Sequence, residues 1–165
     1  MKKQCMVLLV ENNAGVLARV SSLFMQRGFN IDSLTVSSTE NPKISRITLM
    51  ATGDQKTFSQ IMKQTAKLVE TKMIFSVEPN FSLIQELLLV KVSTQNADAD
   101  KLIEIIKKFG ANAVDITSGC LIAEPAASSQ TIDDFLEAIA EFKMLEMCRS
   151  GAIAMERGDV LYDLN

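Results

Sequence analysis

The sequence contains no histidine, no tryptophan and only three cysteines. Histidine is the commonest general base near neutral pH and the commonest metal ligand, so its absence disfavours most hydrolytic and metal-dependent chemistry. Cys5, Cys120 and Cys148 are far apart and each lies in an apolar, strand-like run. This spacing excludes a Cys-x-x-Cys motif and predicts buried structural thiols. Together these absences favour a binding role over catalysis.

Strong positive charge and long apolar runs are also missing. The formal net charge of -3 and the pI of about 5.1 provide no basic field for nucleic-acid phosphates. No apolar run is long enough to span a bilayer, and the Met-Lys-Lys start leads directly into a strand-like segment instead of a signal peptide. With 47% hydrophobic residues among 165, the chain can form a full core. We therefore expect a globular, cytoplasmic protein.

The first half predicts the order strand, helix, strand, strand, helix, strand. Met6–Val10 is too short for a helix and predicts a strand buried on both faces. The following helix takes Asn13 as its N-cap and ends at Gly28. The apolar residues of Phe29–Thr39 change phase, which predicts a bulge near Asp32-Ser33. A turn is predicted at 40–43, and strands are predicted at Ile44–Gly53 and Met73–Val77. The apolar face of the first helix is Val16, Leu17, Val20, Leu23 and Phe24. The second helix is capped by Asp54, and its apolar face is Phe58, Ile61, Met62, Thr65, Leu68 and Val69.

The second half repeats this order of elements. Its first helix is ended by Gly110, and a strand pair turns at Ser118-Gly119. Thr131 and Asp134 are expected to form a capping box on the last helix. The predicted strands are Leu87–Val92, Ala113–Thr117, Leu121–Ala123 and Met144–Cys148. The apolar face of the first predicted helix is Ala99, Leu102, Ile103, Ile106 and Phe109, and that of the last helix is Ile132, Phe135, Leu136 and Ile139.

Each half therefore has the pattern βαββαβ, which is typical of a ferredoxin-like fold. We predict an α+β protein of two tandem ferredoxin-like domains, residues 1–79 and 84–165. The boundary lies near Pro79 to Leu83, where a proline and polar residues interrupt the apolar pattern.

The turn at residues 11–17, Glu11 to Leu17, carries the main functional signal. A strand end leads into a helix start, so free backbone N–H groups and the positive end of the helix dipole meet there, an arrangement that suits a carboxylate. No His, Cys, Lys or Arg lies within the turn to act as a base, a nucleophile or a metal ligand. Residues 28–34 echo this segment. The sequence predicts a small-molecule pocket without a catalytic side chain.

Other functions of this fold leave signals that the chain lacks. An RNA-recognition module needs stacking aromatics, and neither the first strand nor Ile44–Gly53 has one. A copper carrier needs Cys-x-x-Cys in the first strand-to-helix turn. An acylphosphatase-like enzyme would place an arginine in that turn, but Arg19 comes a full turn into the helix, which disfavours this function without removing it.

The remaining candidate is a domain that binds a small amino acid with backbone atoms and amides. Residues 11–20, 23–24 and 27–36 resemble the amino-terminal ACT domain of the small regulatory subunit of acetohydroxyacid synthase (acetolactate synthase). The resemblance continues through 39–42, 45–48, 88–92, 114–117, Leu136 and 149–151. It covers nearly the whole chain and is strongest over the first half.

The resemblance implies a non-catalytic subunit that activates a separate catalytic subunit and confers feedback inhibition by valine. The reaction is the first step of branched-chain amino-acid synthesis. No cofactor is expected in this chain, whereas thiamine diphosphate, Mg and FAD are expected in the catalytic partner. The implied partners are a second copy of the chain, the catalytic large subunit and valine, with no nucleic acid and no membrane.

The resemblance also implies where the effector binds. The site lies between the ACT domains of two chains, with no catalytic and no metal-ligating residue. One chain contributes Asn12, Ala14, Gly15, Val16 and Leu17, and its neighbour contributes Asn30 and Ile31.

Alternative interpretations of the same residues stay open. Asn12 and Asn13 can cap a helix without binding any ligand. Arg19, Arg27 and Arg46 are expected to be solvated surface charges and are left out of the site. The same pocket would also suit a free-standing ACT-type amino-acid sensor that acts on another protein partner, although no helix-turn-helix or basic arm is present.

Overall fold

The computed structural model describes residues 2–26, 30–95 and 97–159. The chain divides into two compact units. Unit 1 is Met1–Leu83 with Ala152–Asn165, and unit 2 is Ile84–Gly151. Residues 152–159, which the sequence led us to place in the second domain, therefore belong with the first.

Unit 1 contains one βαββαβ motif and a short C-terminal addition. Its elements are β1 (Lys2–Glu11), α1 (Val16–Gln26), β2 (Asn30–Ser38), β3 (Ile44–Gly53), α2 (Gln55–Thr65), β4 (Thr71–Val77) and a 3-10 helix (Pro79–Phe81). The four strands form an antiparallel sheet in the order β2-β3-β1-β4, which is the strand order of the ferredoxin-like fold.

Strand β1 is buried on both faces, as its continuous apolar run predicts. On the helix-covered face, Met6 and Leu8 join a core cluster with residues of α1 and α2. On the outer face, Cys5, Val7 and Leu9 are at most 5% exposed. Both faces of the sheet of unit 1 are therefore buried along residues 4–10 of this strand.

The predicted bulge in β2 is confirmed. The pairing of β2 with β3 shifts register between Ile31 and Ser33, so Asp32 is the additional residue. Its carboxylate accepts a hydrogen bond from the Thr52 hydroxyl at 2.7 Å. The bulge explains the phase change, because both Ile31 and Leu34 pack against the core.

Three details of unit 1 differ from or lie outside the predictions. Helix α2 begins at its predicted cap Asp54 but ends at Thr65, so Val69 lies beyond it and is 87% exposed instead of belonging to its apolar face. Leu17 and Leu23 belong to α1, but its buried side chains are Val16, Val20 and Phe24. The predicted helix end at Gly28 lies outside the described residues.

Unit 2 repeats the motif. Its elements are β5 (Ser82–Ser93, which begins in unit 1), α3 (Ala99–Lys108), β6 (Asn112–Ile116), β7 (Cys120–Glu124), β8 (Ala126–Ala127), α4 (Ser129–Ala138) and β9 (Met144–Arg149). Strand β10 (Ile153–Glu156) pairs with β5 and belongs to unit 1. β9, β5, β7 and β6 lie side by side, again the ferredoxin-like order.

The sheet of unit 2 is covered on one face and open on the other. Leu88, Val90 and Val92 of β5 are fully buried with α3 and α4. Leu87 and Leu89 are 38% and 40% exposed on the opposite face. Every residue of β6 is exposed, as is most of β9.

The thiol and cap predictions are partly wrong in unit 2. Cys148 is exposed instead of buried, because it pairs with Leu89 on the outer face. Helix α4 begins at Ser129, and the Ser128 hydroxyl accepts from the Thr131 N–H at 3.2 Å. Ser128 is therefore the cap, and Asp134, paired with Gln130, belongs to the helix interior.

Candidate effector-binding site

The turn that carries the functional signal joins β1 to α1. Gly15, directly before the helix, has a φ of +86°, a left-handed conformation that side-chain-bearing residues rarely adopt. A Cβ built on Gly15 would meet no heavy atom within 4 Å. The turn thus needs glycine for its backbone shape, and open space lies beside it.

Asn13 does not cap α1, so this prediction is wrong. The Arg19 N–H donates to the Gly15 carbonyl at 3.1 Å, which makes Gly15 the residue before the helix. The Asn13 amide instead donates to the Glu11 carboxylate at 3.0 Å. The left-handed Gly15 delays the helix start to Val16, and Asn13 accepts from the Val16 N–H at 3.4 Å through its backbone carbonyl instead of through a capping side chain.

The turn presents unused backbone donors. Asn12 donates its N–H to the Lys43 carbonyl at 2.8 Å, and Asn13 donates to the Glu11 carbonyl. Among the described residues, the backbone N–H groups of Ala14, Gly15, Leu17 and Ala18 donate to no acceptor. Free N–H groups at a helix start, where the dipole is positive, form a ready binding site for an anion.

Two ion pairs lie beside the turn. Glu11 accepts from Lys72 at 2.6 Å, so its negative charge is compensated near the turn. Arg19 pairs with Glu70 at 2.6 Å, and its side chain is 55% exposed. The charges of Arg19 and Lys72 are thus compensated, whereas backbone groups at the helix start and Lys43 at the neighbouring cavity can attract an anion.

The second predicted segment starts β2. Asn30 is exposed, and its amide donates to Asp32 at 3.3 Å. Ile31 is partly buried and packs against the core of unit 1. The eleven residues of α1 separate this segment from the turn by roughly 16 Å. One chain alone does not bring the two halves of the predicted site together.

The apolar residues at the turn differ in exposure. Val16 is 3% exposed and belongs to the core, and its N–H donates to the Asn13 carbonyl at 3.4 Å. Leu17 is 42% exposed and presents an apolar side chain beside the free N–H groups.

An open cavity of about 460 Å³ lies on one side of the turn. The residues that line it are Glu11, Asn12, Asn13, Asn41, Pro42, Lys43, Ile44 and Lys72. Only Asn12 of the predicted site residues is among them. The contribution of 41–44 and Lys72 could not be foreseen from local sequence, because strand pairing brings them to the turn from distant positions.

The described residues hold neither a metal-binding cluster nor a helix that could cross a membrane. No group of three or more His, Cys, Asp or Glu side chains in them could hold a metal ion. None of the helices there has the length and apolar character needed to cross a membrane.

Comparisons with known proteins agree with the architecture. The family model described as the AHAS small subunit-like ACT domain matches residues 6–72. A second model, described as the small subunit of acetolactate synthase, matches residues 85–158.

Individual relatives match over nearly the full length. The acetolactate synthase small subunit of Buchnera aphidicola is 36% identical, covering 94% of this chain and 99% of that protein. The acetolactate synthase isozyme 3 small subunit of Escherichia coli is 35% identical, covering 95% and 97%. The crystal structure of the Thermotoga maritima acetolactate synthase small subunit superposes with a TM-score of 0.87 at 32% identity, covering 97% and 100%. The chain therefore belongs to the family of acetolactate synthase small subunits, with the ACT domain of that family in its first half.

Proposed function

We propose that this protein is the regulatory subunit of an acetolactate synthase, which activates a separate, thiamine-diphosphate-dependent catalytic subunit and confers feedback inhibition by valine. Membership of the small-subunit family supports a regulatory role. The chain itself contributes no catalytic group in this proposal, and the cytoplasm stays its predicted location.

The observation that carries the proposal is the set of free N–H groups at the start of α1. Ala14, Gly15, Leu17 and Ala18 offer backbone donors to the carboxylate of an amino acid. The half-exposed Leu17 offers an apolar contact to a branched side chain. Amide oxygens of asparagines can accept from the ammonium group.

A second copy of the chain completes the proposed site. The turn and the Asn30-Ile31 segment lie at opposite ends of α1, so one chain supplies only one of the two to a given ligand. Under a two-fold axis, each of two equivalent sites would take its turn from one chain and Asn30-Ile31 from the other.

Gly15→Asp tests the site. The new carboxylate would occupy the position of the effector carboxylate, so we expect no calorimetric heat with valine and no feedback inhibition of the reconstituted enzyme. Gly110→Asp is the matched control, because Gly110 also has a positive φ of 64° and open space around it. Gly15→Ala separates backbone strain from charge and should weaken binding less. Valine binding retained in Gly15→Asp would refute the site.

Mixing Gly15→Asp with Asn30→Ala, each of which should lose valine binding by itself, tests whether two chains share the site. Dimers of Gly15→Asp with Asn30→Ala would contain one site with both lesions and one intact site. After mixing and re-equilibration of equal amounts, about one quarter of the wild-type binding capacity should return. A site built within one chain would not be restored.

Adding this protein to the catalytic subunit tests the activating role, and an unchanged turnover of that subunit would refute it.

A further inference from the structure

Residues 152–159, here the C-terminal strap, return to unit 1 after the last strand of unit 2. Ala152 and Ala154 are at most 4% exposed, whereas Ile153 and Met155 are 56% and 65% exposed. The Arg157 N–H donates to the Phe81 carbonyl at 2.9 Å. The strap is thus an extended segment with small residues inward and large apolar residues outward.

Arg46 binds the strap. Its guanidinium donates to the Ala154 carbonyl at 2.7 Å and lies 5.8 Å from the centroid of the Phe75 ring. Arg46 is partly buried, so the expectation of a solvated surface charge is wrong. Burial lowers its pKa below the ordinary value, and the carboxylates of Glu156 and Glu40 oppose this shift.

The same arginine is close to the proposed effector turn. Across the sheet, Arg46 pairs with Leu9 of β1, three residues before Asn12. Asn12 is tied to the turn that precedes β3, because its N–H donates to the Lys43 carbonyl at 2.8 Å and its side chain to the Pro42 carbonyl at 3.0 Å. Glu40, which acts electrostatically on Arg46, belongs to that same turn.

These contacts form a continuous connection from a proposed ligand-binding residue to the strap. Asn12 holds the turn at 40–43, that turn leads into β3, and Arg46 of β3 holds the strap. A network of this kind can couple two sites when a ligand favours one of its arrangements.

We propose that Arg46 is a positioning residue that couples occupancy of the effector turn to closure of the C-terminal strap. The coupling rests on the proposed function, whereas fastening of the strap by Arg46 does not. Arg46 touches no effector in this scheme and acts through the strap and the turn at 40–43.

Hydrogen exchange of the strap in the full-length protein without ligand tests the fastening. Arg46→Met should speed the exchange of residues 152–157 by about tenfold or more, because a charged hydrogen bond to the strap is lost. Arg46→Lys, which keeps the charge, should restore part of the protection. The matched control is Lys91→Met, which removes a cation from the outer face of the unit 2 sheet. Unchanged strap exchange in Arg46→Met would overturn the proposal.

Valine then tests the coupling. In the wild-type protein, valine should slow strap exchange; in Arg46→Met, calorimetric binding of valine should persist while strap exchange no longer responds. A strap response retained in the variant would refute the coupling. Absence of valine binding in the wild type would refute the proposed function and the coupling with it, and the ligand-free exchange experiment would still decide the fastening.

Discussion

Units 1 and 2 share one strand order but differ in the outer faces of their sheets. In unit 1, Cys5 and Leu9 on the outer face are buried, and Arg46 on the same face holds the C-terminal strap. In unit 2, Leu89 and Cys148 occupy the outer face and stay accessible. Two sheets with the same strand order can therefore differ in whether their outer face is buried.

The cysteines offer the largest expected contrast. Burial raises the pKa of Cys5 to about 11, whereas Cys148 is exposed. In a Cys120→Ser background, a disulfide reagent at pH 8 should modify Cys5 at least about a hundredfold more slowly than Cys148, because the thiolate is the reactive form. The rate of Cys5 modification should rise about tenfold per pH unit between about pH 7 and 9, because the thiolate fraction rises in proportion. Equal rates for the two thiols would remove the contrast.

Two leucines test the same contrast through stability. Leu9→Ala should lower the free energy of unfolding by about 3 kcal/mol, because Leu9 is 2% exposed and its loss leaves a cavity. Leu89→Ala, at 40% exposure in the corresponding strand of unit 2, should cost less than about 1 kcal/mol. Urea unfolding combined with hydrogen exchange in each unit measures both. Similar losses would show that the two outer faces are equivalent.

Unit 2 is also stabilised by an ionic network. The side chain of Glu86, 5% exposed, accepts from Arg149 at 2.5 Å and also bonds Ser129, and Arg149 donates to Asp133 at 2.7 Å. Burial tends to lower the pKa of Arg149, but its bonds to both carboxylates raise it overall.

Arg149→Met should therefore destabilise unit 2 by about 2 to 3 kcal/mol, because it leaves the Glu86 carboxylate buried without its counter-ion. Asp133→Asn should cost less than about 1 kcal/mol, since Asp133 is largely exposed. Adding Glu86→Gln to Arg149→Met should recover part of the loss in urea unfolding. A double variant as unstable as Arg149→Met would mean that the buried charge is not the cause.

The smallest effect is expected at the cap of α2 in unit 1. Hydrogen bonds from the Thr57 side chain and backbone lower the pKa of Asp54. The ionised carboxylate of Asp54 therefore stabilises the helix fully above the ordinary carboxyl pKa, and this contribution is lost as the pH falls through the lowered pKa of Asp54. Hydrogen exchange in α2 should show this acid dependence in the wild type. Asp54→Asn should keep the cap and abolish that dependence, and an unchanged dependence in the variant would contradict the assignment.

Much of the fold could be predicted from local periodicity. The apolar run of β1, the phase change at Asp32 and the cap at Asp54 are signals carried by a few adjacent residues, and the structure agrees with each. The strap was missed because β10 has only four residues and is stabilised by groups far away in the chain, including Arg46.

The candidate site was less accessible to prediction. Its residues were named from the family resemblance, and the free donors at Ala14 and Gly15 agree with a carboxylate-binding turn. The exact helix start was wrong because a left-handed Gly15 leaves no signature that distinguishes it from other glycines. Local periodicity correctly placed Val16 on the core-facing side of α1, but it assigned Leu17 to the same face, and Leu17 is 42% exposed.

The return of the strap to unit 1 affects the order in which the protein folds during its synthesis. Ribosomal synthesis proceeds from the N-terminus, and domains generally fold as they emerge. The bond between Arg46 and Ala154 joins residues separated by 108 positions, so the last contacts of unit 1 form only after all of unit 2 has been translated. A nascent chain halted before Ala154 would carry an incomplete first unit with its partly buried arginine lacking that acceptor, and truncation at the C-terminus would thus alter the N-terminal domain.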